Sequence, residues 1–398
     1  MRSLGIAVLA VAGVSAVGCD GEDPAHRLET TIDTVAATVH VIHRGGRADD
    51  KLEPVMEIGG VGGLTDAPSP EEFGRIARVV GDVDGRVYVS DQIPPEIRIF
   101  GPDGSHLRTV GREGAGPGEL GGLYGAAWLA PDTLLVVDPG NARLAALTTE
   151  GEQVRQWGWA RMSGRARAFL FNGGPGEAYG YVPVPGRRDG ERLGSAWVRY
   201  TLHSPPDTME IPTVETLGVE LPENLELCRN DVGLGFLSNP YAPSLIRVPA
   251  PGLERAVALS PEYRIAFIDR SGDTVRVISR HVPRVPLPDS ARSSLEAERA
   301  EFRTTWRGAD CEGEITSTDV LPVLRDLYFD HHGRMLVEYN RPEGVAFDLF
   351  DREGRWIATF PAPDRDPSVP PYLYDDWLYT VVRDSLDVQR VRVHRHEP

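Results

Sequence analysis

Asp91 and Asp138 stand 47 residues apart; Asp91 closes an alternating stretch from Gly85, and Thr133 to Asp138 plays the same part. Carboxylates repeated at one radius of a symmetric molecule can hold Ca²⁺, a hard ion that takes oxygen ligands. The same residue type also accepts N–H donors from the turn that follows it, which requires no ion. The turn is the simpler account. A third equivalent carboxylate is missing, because Val337-Glu338-Tyr339 offers only Glu338 nearby. No cofactor is therefore expected, and Ca²⁺ or another divalent ion on Asp91 and Asp138 stays as the possibility to test. Arg98, Arg143 and Arg155 recur near strand ends, and Arg112 with Glu113 lies between them. Clustered guanidiniums clamp carboxylates or phosphates bidentately. All but one of the 42 cationic residues are Arg, however, so any surface cation in this chain is an Arg as well. The candidate binding set is Asp91, Arg98, Arg112, Glu113, Asp138 and Arg143.

Other chemistries are excluded by pattern. There is no HExxH for a zinc protease and no GxSxG elbow. No CxxC occurs, which removes thioredoxin-type redox and c-type haem. The glycine-rich run 111–122 lacks the Lys-Ser/Thr of a phosphate loop and opens no helix, so it reads as a connector. His331-His332 precede Gly333 in the register of Asp84-Gly85, which makes His332 a turn residue rather than a ligand. Tyr372, Tyr374, Trp377 and Tyr379 read as alternating core residues of a strand pair. A sugar-stacking role is the alternative.

The chain has 398 residues and a net charge of −17. That charge argues against sequence-independent nucleic-acid binding and against docking on anionic lipid. An apolar content of 41% with 25% charged residues is that of a folded protein.

The elements that position these residues come from a repeat. Shifting the stretch from Asp91 to Gly111 by 47 superposes Asp91 on Asp138, Gly104 on Gly151, Arg108 on Arg155 and Gly111 on Gly158. The turn phrase recurs as Asp269-Arg270-Ser271-Gly272 and Asp351-Arg352-Glu353-Gly354, giving four clear copies. Each glycine falls where a tight hairpin needs positive φ. An alternating strand pair lies upstream of each hairpin, so one repeat holds about four short strands, the period of a propeller blade.

The expected fold is all-β: a six-bladed β-propeller with four-stranded antiparallel blades and one helical insertion. Blades are placed near 73–112, 121–160, 165–212, 240–281, 320–362 and 370–396 within a single domain over 35–398. The last blade is short, and a strand within 35–42 or 52–58 is expected to complete it, because an open ring leaves a bare strand edge. Residues 282–318 form the insertion. Pro288-Asp289-Ser290 starts a helix there, with Ala291, Leu295, Phe302 and Trp306 on one face. A packed lid is the plain reading of this helix and a ligand gate the alternative.

The run from Gly85 to Asp91, then Ile97-Arg98-Ile99-Phe100, Asp103-Gly104 and the stretch from Gly111 to Leu120, resembles bacterial six-bladed propellers of the NHL-repeat-like class. The likeness is strong over 73–158, moderate over 240–281 and 320–360, and weak elsewhere. It implies fold and export, and it carries over no catalytic set.

Residues 1–18 read as a signal peptide, since the apolar run from Leu4 to Val17 is shorter than the roughly 20 residues of a membrane span. The run ends in Ala16-Val17-Gly18-Cys19, which resembles a lipobox with Ala16 at the position usually held by Leu. Cys19 is then the lipid attachment and 19–34 a tether. Cleavage after Ala16, releasing a secreted protein, is the alternative. In the oxidising compartment that export implies, Cys228 and Cys311 are expected to pair.

Together these features point to an exported, lipid-anchored propeller facing the periplasm or the cell exterior. It would touch the membrane only through its anchor and would bind an envelope protein or small ligand without catalysis. The alternatives are a metal-dependent hydrolase or lyase with its ion in the central channel, and a structural subunit of an envelope complex.

Overall fold

The computed structural model describes residues 28–46, 49–60, 69–158, 169–189, 192–231 and 233–397. Residues 1–18, read from the sequence as a signal peptide, and Cys19 lie outside the described residues.

Alternation of apolar and polar residues between Asp/Gly turns builds a series of antiparallel meanders. Sheet 1 runs Ile76–Gly81, Val87–Gln92, Pro95–Phe100 and His106–Val110. Sheet 2 runs Ala126–Ala130, Thr133–Asp138, Arg143–Thr148 and Gln153–Gly158. Sheet 3 has Phe169–Asn172, Ala178–Asp189, Arg192–Tyr200 and Asp207–Met209, with the pairs Arg188–Leu193 and Asp189–Arg192 lengthening its central hairpin. Sheet 4 has Leu245–Ala250, Glu254–Leu259, Arg264–Ile268 and Thr274–Arg280. Sheet 5 comprises Leu324–Phe329, Met335–Arg341, Gly344–Phe350 and Trp356–Pro361. In sheet 6, Tyr372–Tyr374, Trp377–Arg383 and Gln389–Glu397 are completed by Lys51–Ile58 from the other end of the chain.

The turns follow the predicted chemistry. Gly104, Gly151, Gly272 and Gly354 all have φ between 80° and 92°, and each donates its N–H to the carbonyl three residues back.

These sheets stand face to face around an axis, which makes the fold a β-propeller. One buried cluster joins sheets 6, 1 and 2, another sheets 2 and 3, another sheets 4 and 5, and another sheets 5 and 6. Tyr179 and Trp197 of sheet 3 meet Leu253, in the turn between the first two strands of sheet 4. Between sheets 1 and 2 the Trp128 indole donates to the Gly81 carbonyl at 2.7 Å and lies edge-on to Tyr88. Such an aromatic pair adds about 0.5–1.5 kcal/mol beyond its buried area. Gly81 cannot be replaced there, because a Cβ would sit 2.2 Å from the Tyr379 ring of sheet 6.

Two features differ from the sequence expectation. Residues 29–34, read as tether, are strand: Glu29–Val35 pairs with Thr38–Arg44 around a turn at Ala36-Ala37, and the hairpin joins the outer strand of sheet 4 in parallel. The stretch Thr-Ile-Asp-Thr-Val alternates well enough to pair, and the unpaired edge of Thr274–Arg280 receives it. A small sheet of Glu226–Asn230, Gly233–Leu237 and Asp310–Glu312 lies outside the meanders. Cys228 and Cys311 sit opposite each other in it and are disulfide-bonded. Beside it runs the expected helix, Asp289–Thr305, on which Ala291, Leu295 and Phe302 are half-buried. Trp306, just past its end, covers Gly235 so closely that a Cβ would lie 2.2 Å from the indole. Among the described residues, no helix is long and apolar enough to cross a membrane.

Candidate functional site

The first strands of the sheets run alongside one another at the axis, and two mouths follow from their direction. The upper mouth lies where these strands begin, at Ile76, Ala126 and Tyr372. The lower mouth lies where they end, at the turns after Gly81, Ala130, Asn172, Phe329 and Tyr374. Near the lower end, Asn172 donates to the Phe329 carbonyl across the axis at 3.1 Å, so the channel is pinched there.

The sequence-selected residues gather at the upper side as connector clasps. Asp91 is fully buried and accepts from the N–H groups of Gly74, Arg75 and Ile93, with Arg98 at 3.4 Å. Arg98 in turn donates to the carbonyls of Pro70 and Glu72. Asp138 repeats the arrangement, accepting from the Gly121 N–H, Asn141 and Arg143. Arg143 reaches the carbonyls of Gly116 and Glu119. In both sheets the Asp–Arg pair therefore fastens the connector arriving from the previous sheet, and the carboxylate oxygens face N–H donors. Arg112 is exposed and pairs with Glu119, whose carboxyl is held below the usual range by the Gly116 N–H and by Arg112. Glu113 is exposed and bridges to Leu120. Tyr372 and Tyr379 are core residues, as their alternation suggested.

Between the clasps is a cavity of about 180 Å³, lined by Arg75, Arg78, Gln92, Tyr124, Ser368 and Pro370 among others. Arg78 is its unusual member. It is 8% exposed, its Nε has no hydrogen-bond partner, and no carboxylate among the described residues pairs with it. Burial lowers the affinity of its guanidinium for its proton, and only the Tyr372 and Tyr328 hydroxyls oppose this. The Tyr372 hydroxyl is itself buried without a partner. Next to Tyr328 a second charged group is saturated: Glu338 takes Arg365 at 2.6 Å, Arg325 at 3.1 Å and the Tyr328 hydroxyl at 3.0 Å. Asp326, directly across the strand pair from Glu338, has its carboxyl pushed up to about 6 by burial, with the Glu338 charge adding to the shift.

At the lower mouth the turn Asp330–Gly333 takes the form of Asp82–Gly85, as the sequence register indicated for His332. The register did not show that Asp375 comes opposite. His332 Nε2 lies 2.7 Å from Asp375 Oδ1, and His331 stacks on Tyr374 at 3.9 Å. Burial and the neighbouring His332 lower the His331 imidazole to about 4. Beside them is a cavity of about 160 Å³ lined by Trp128, Pro131, Pro175, His331 and Tyr374, among others.

No signal in the sequence marked Arg78 or Asp326. Both sit on first strands, where alternation tells which face a residue takes but not which residues meet the axis. On the small sheet, Leu234 and Phe236 are exposed apolar side chains.

No family model matches the chain, and no curated protein matches it in sequence. Among solved structures it is similar to virginiamycin B lyase from Staphylococcus aureus, at 10% identity over 87% of this chain and 99% of that one, with a TM-score of 0.41. It is also similar to a member of the DUF4221 family from Bacteroides vulgatus, at 11% identity over 88% and 98% of the two chains, TM-score 0.44. A third is regucalcin, a calcium-binding protein from Agrobacterium tumefaciens, at 12% identity over 82% and 92%, TM-score 0.35. The propeller assignment rests on the order and packing of the sheets themselves.

Proposed function

We propose that this chain is an exported, lipid-anchored, six-bladed propeller of the NHL-repeat-like kind that binds a small anionic ligand at its upper mouth without catalysis. The observation that carries the reading is Arg78. A buried charge with no counter-charge costs several kcal/mol, and proteins keep such a group where a ligand supplies the missing partner. A carboxylate or phosphate fits a planar guanidinium donor, and Arg75, Gln92, Tyr124 and Ser368 on the cavity wall offer further polar contacts. The six consecutive face-packed sheets, with Lys51–Ile58 closing the last, support the blade count. The Cys228–Cys311 bond fits an oxidising compartment. Attachment to the membrane is proposed through Cys19, and a protein partner in the envelope would meet the exposed upper connectors around Arg112 and Glu113.

The test is calorimetry and thermal melting with a panel of acetate, succinate, phosphate and sulfate, on the wild type and Arg78→Met. The expected outcome has two parts. At least one anion raises the melting temperature of the wild type but not of the variant. The ligand-free variant melts higher than the ligand-free wild type, because the unpaired charge is gone. A response that survives in Arg78→Met, or a wild type indifferent to the whole panel, sinks the reading.

A further inference from the structure

We infer that the lower mouth holds a binding site for a borderline divalent transition metal of the zinc class, ligated by His331, His332 and Asp375. The inference is independent of the anion site, which lies at the opposite end of the channel. Two imidazoles and a carboxylate each bring one donor atom within 4.8 Å of the others. Zinc bonds of about 2.0–2.2 Å place neighbouring donors about 3.0–3.5 Å apart. The His332–Asp375 donor pair, at 2.7 Å, is already close to that spacing. Imidazole donors select zinc, cobalt, nickel or copper over Ca²⁺ and Mg²⁺, which prefer oxygen alone.

The three residues come from two turns that are locked together. Asp330, 2% exposed, accepts from both the backbone N–H and the Nε of Arg334. The same guanidinium donates to the Asp375 carbonyl at 2.7 Å, and Arg352 donates to the His332 carbonyl. Asp375 sits at φ 49°, a left-handed conformation that turns its side chain toward the histidines at a cost few residues other than Asn and Asp tolerate. His331 is fixed by its stack on Tyr374, and its buried Nδ1 has no hydrogen-bond partner. In contrast, the side chains of His332 and Asp375 are 45% and 52% exposed, which leaves a route for an ion to enter and positions open to solvent. On the other side, His331 lines the cavity it shares with Trp128, Pro131, Pro175 and Tyr374. A metal there would present an open coordination site to a small ligand with an apolar body.

The probe is Co²⁺, titrated into tag-free full chain and followed by its visible ligand-field bands, with stoichiometry from native mass spectrometry. The wild type is expected to take up one Co²⁺, displaced by Zn²⁺ and unaffected by excess Ca²⁺. His332→Ala and Asp375→Asn, at half-exposed positions, are expected to keep the wild-type circular dichroism and to weaken uptake by about tenfold or more. His331→Phe preserves the ring stack on Tyr374 and is expected to lose binding too, separating ligation from packing. Absence of uptake by the wild type, uptake unchanged in all three variants, or displacement by Ca²⁺ would each overturn the assignment.

Discussion

At the scale of single residues, the channel wall carries charge that works against folding. Asp326 is the clearest case. Its carboxyl stays protonated up to about pH 6 in the folded chain against 3.8 in the unfolded one. Between those values the folded state binds a proton that the unfolded state has lost, so stability falls as pH rises through this window and stays reduced above it. A shift of that size is worth about 3 kcal/mol as a ceiling, at about 1.4 kcal/mol per unit. Asp326→Asn is therefore expected to raise the melting temperature at pH 7.5 and to gain much less at pH 4. Melts at the two pH values check this, and an equal gain at both would show that the charge is not what is relieved. His394 pulls the other way. Burial, with Arg392 nearby, lowers its imidazole to about 4, so its share of stability is lost as pH falls from 6.5 toward 4. The wild-type profile on the acid side is accordingly expected to be shallower than that of Asp326→Asn, which lacks the opposing Asp326 contribution.

At the scale of elements, the small sheet and its helix form a unit beside the propeller. The Cys228–Cys311 bond joins residues 83 apart, and the loop it closes contains all of sheet 4. Chain entropy puts the effect of such a loop at about 4.5 kcal/mol as a ceiling. Sheet 4 has its own packing against sheet 5 through the buried Tyr263, Asp348 and Arg280 contacts. Replacing both cysteines by serine is expected to speed hydrogen exchange at 226–237 and 310–312 while leaving 245–280 protected. Exchange that rises equally in sheet 4 would show that the two units unfold as one. How legible these elements were depends on what fixes them. The meander strands were readable because Asp-x-x-Gly turns set the register locally and alternation sets the faces, as in Arg390-Val391-Arg392-Val393. The insertion helix was readable from its stripe of Ala291, Leu295 and Phe302. The small sheet was not, because its third strand, Asp310–Glu312, reaches the hairpin of Glu226–Asn230 and Gly233–Leu237 from far along the chain, and nothing local announces that pairing. The candidate sites were legible only in part. Asp91 and Asp138 announced themselves by repetition, and repetition here marks a clasp that sheets 1 and 2 share. Arg78 and Asp375 are single occurrences whose meaning depends on which other turns the ring brings opposite.

At the scale of the whole molecule, what holds the ring shut is one strand from the far end of the chain. Lys51–Ile58 pairs along Gln389–Glu397, and without it that strand would present a bare edge. The two faces of the closing strand are unequal. Ile58 is 2% exposed and belongs to the cluster that joins sheets 6, 1 and 2, whereas Val55 is 48% exposed. Met56, between them, packs on the turn at Gly104 of sheet 1, so the strand bonds to sheet 6 and packs on sheet 1. A charge at position 58 has no partner waiting and must either be buried or push the strand away. Ile58→Asp is therefore expected to cost about 3 kcal/mol or more and to give oligomers through the freed edge. Val55→Asp, on the solvent face of the same strand, is expected to stay within about 0.5 kcal/mol of wild type and remain monomeric. Urea melts and size-exclusion chromatography of the two variants side by side decide the point. Equal behaviour of the pair would mean that closure does not pass through this strand.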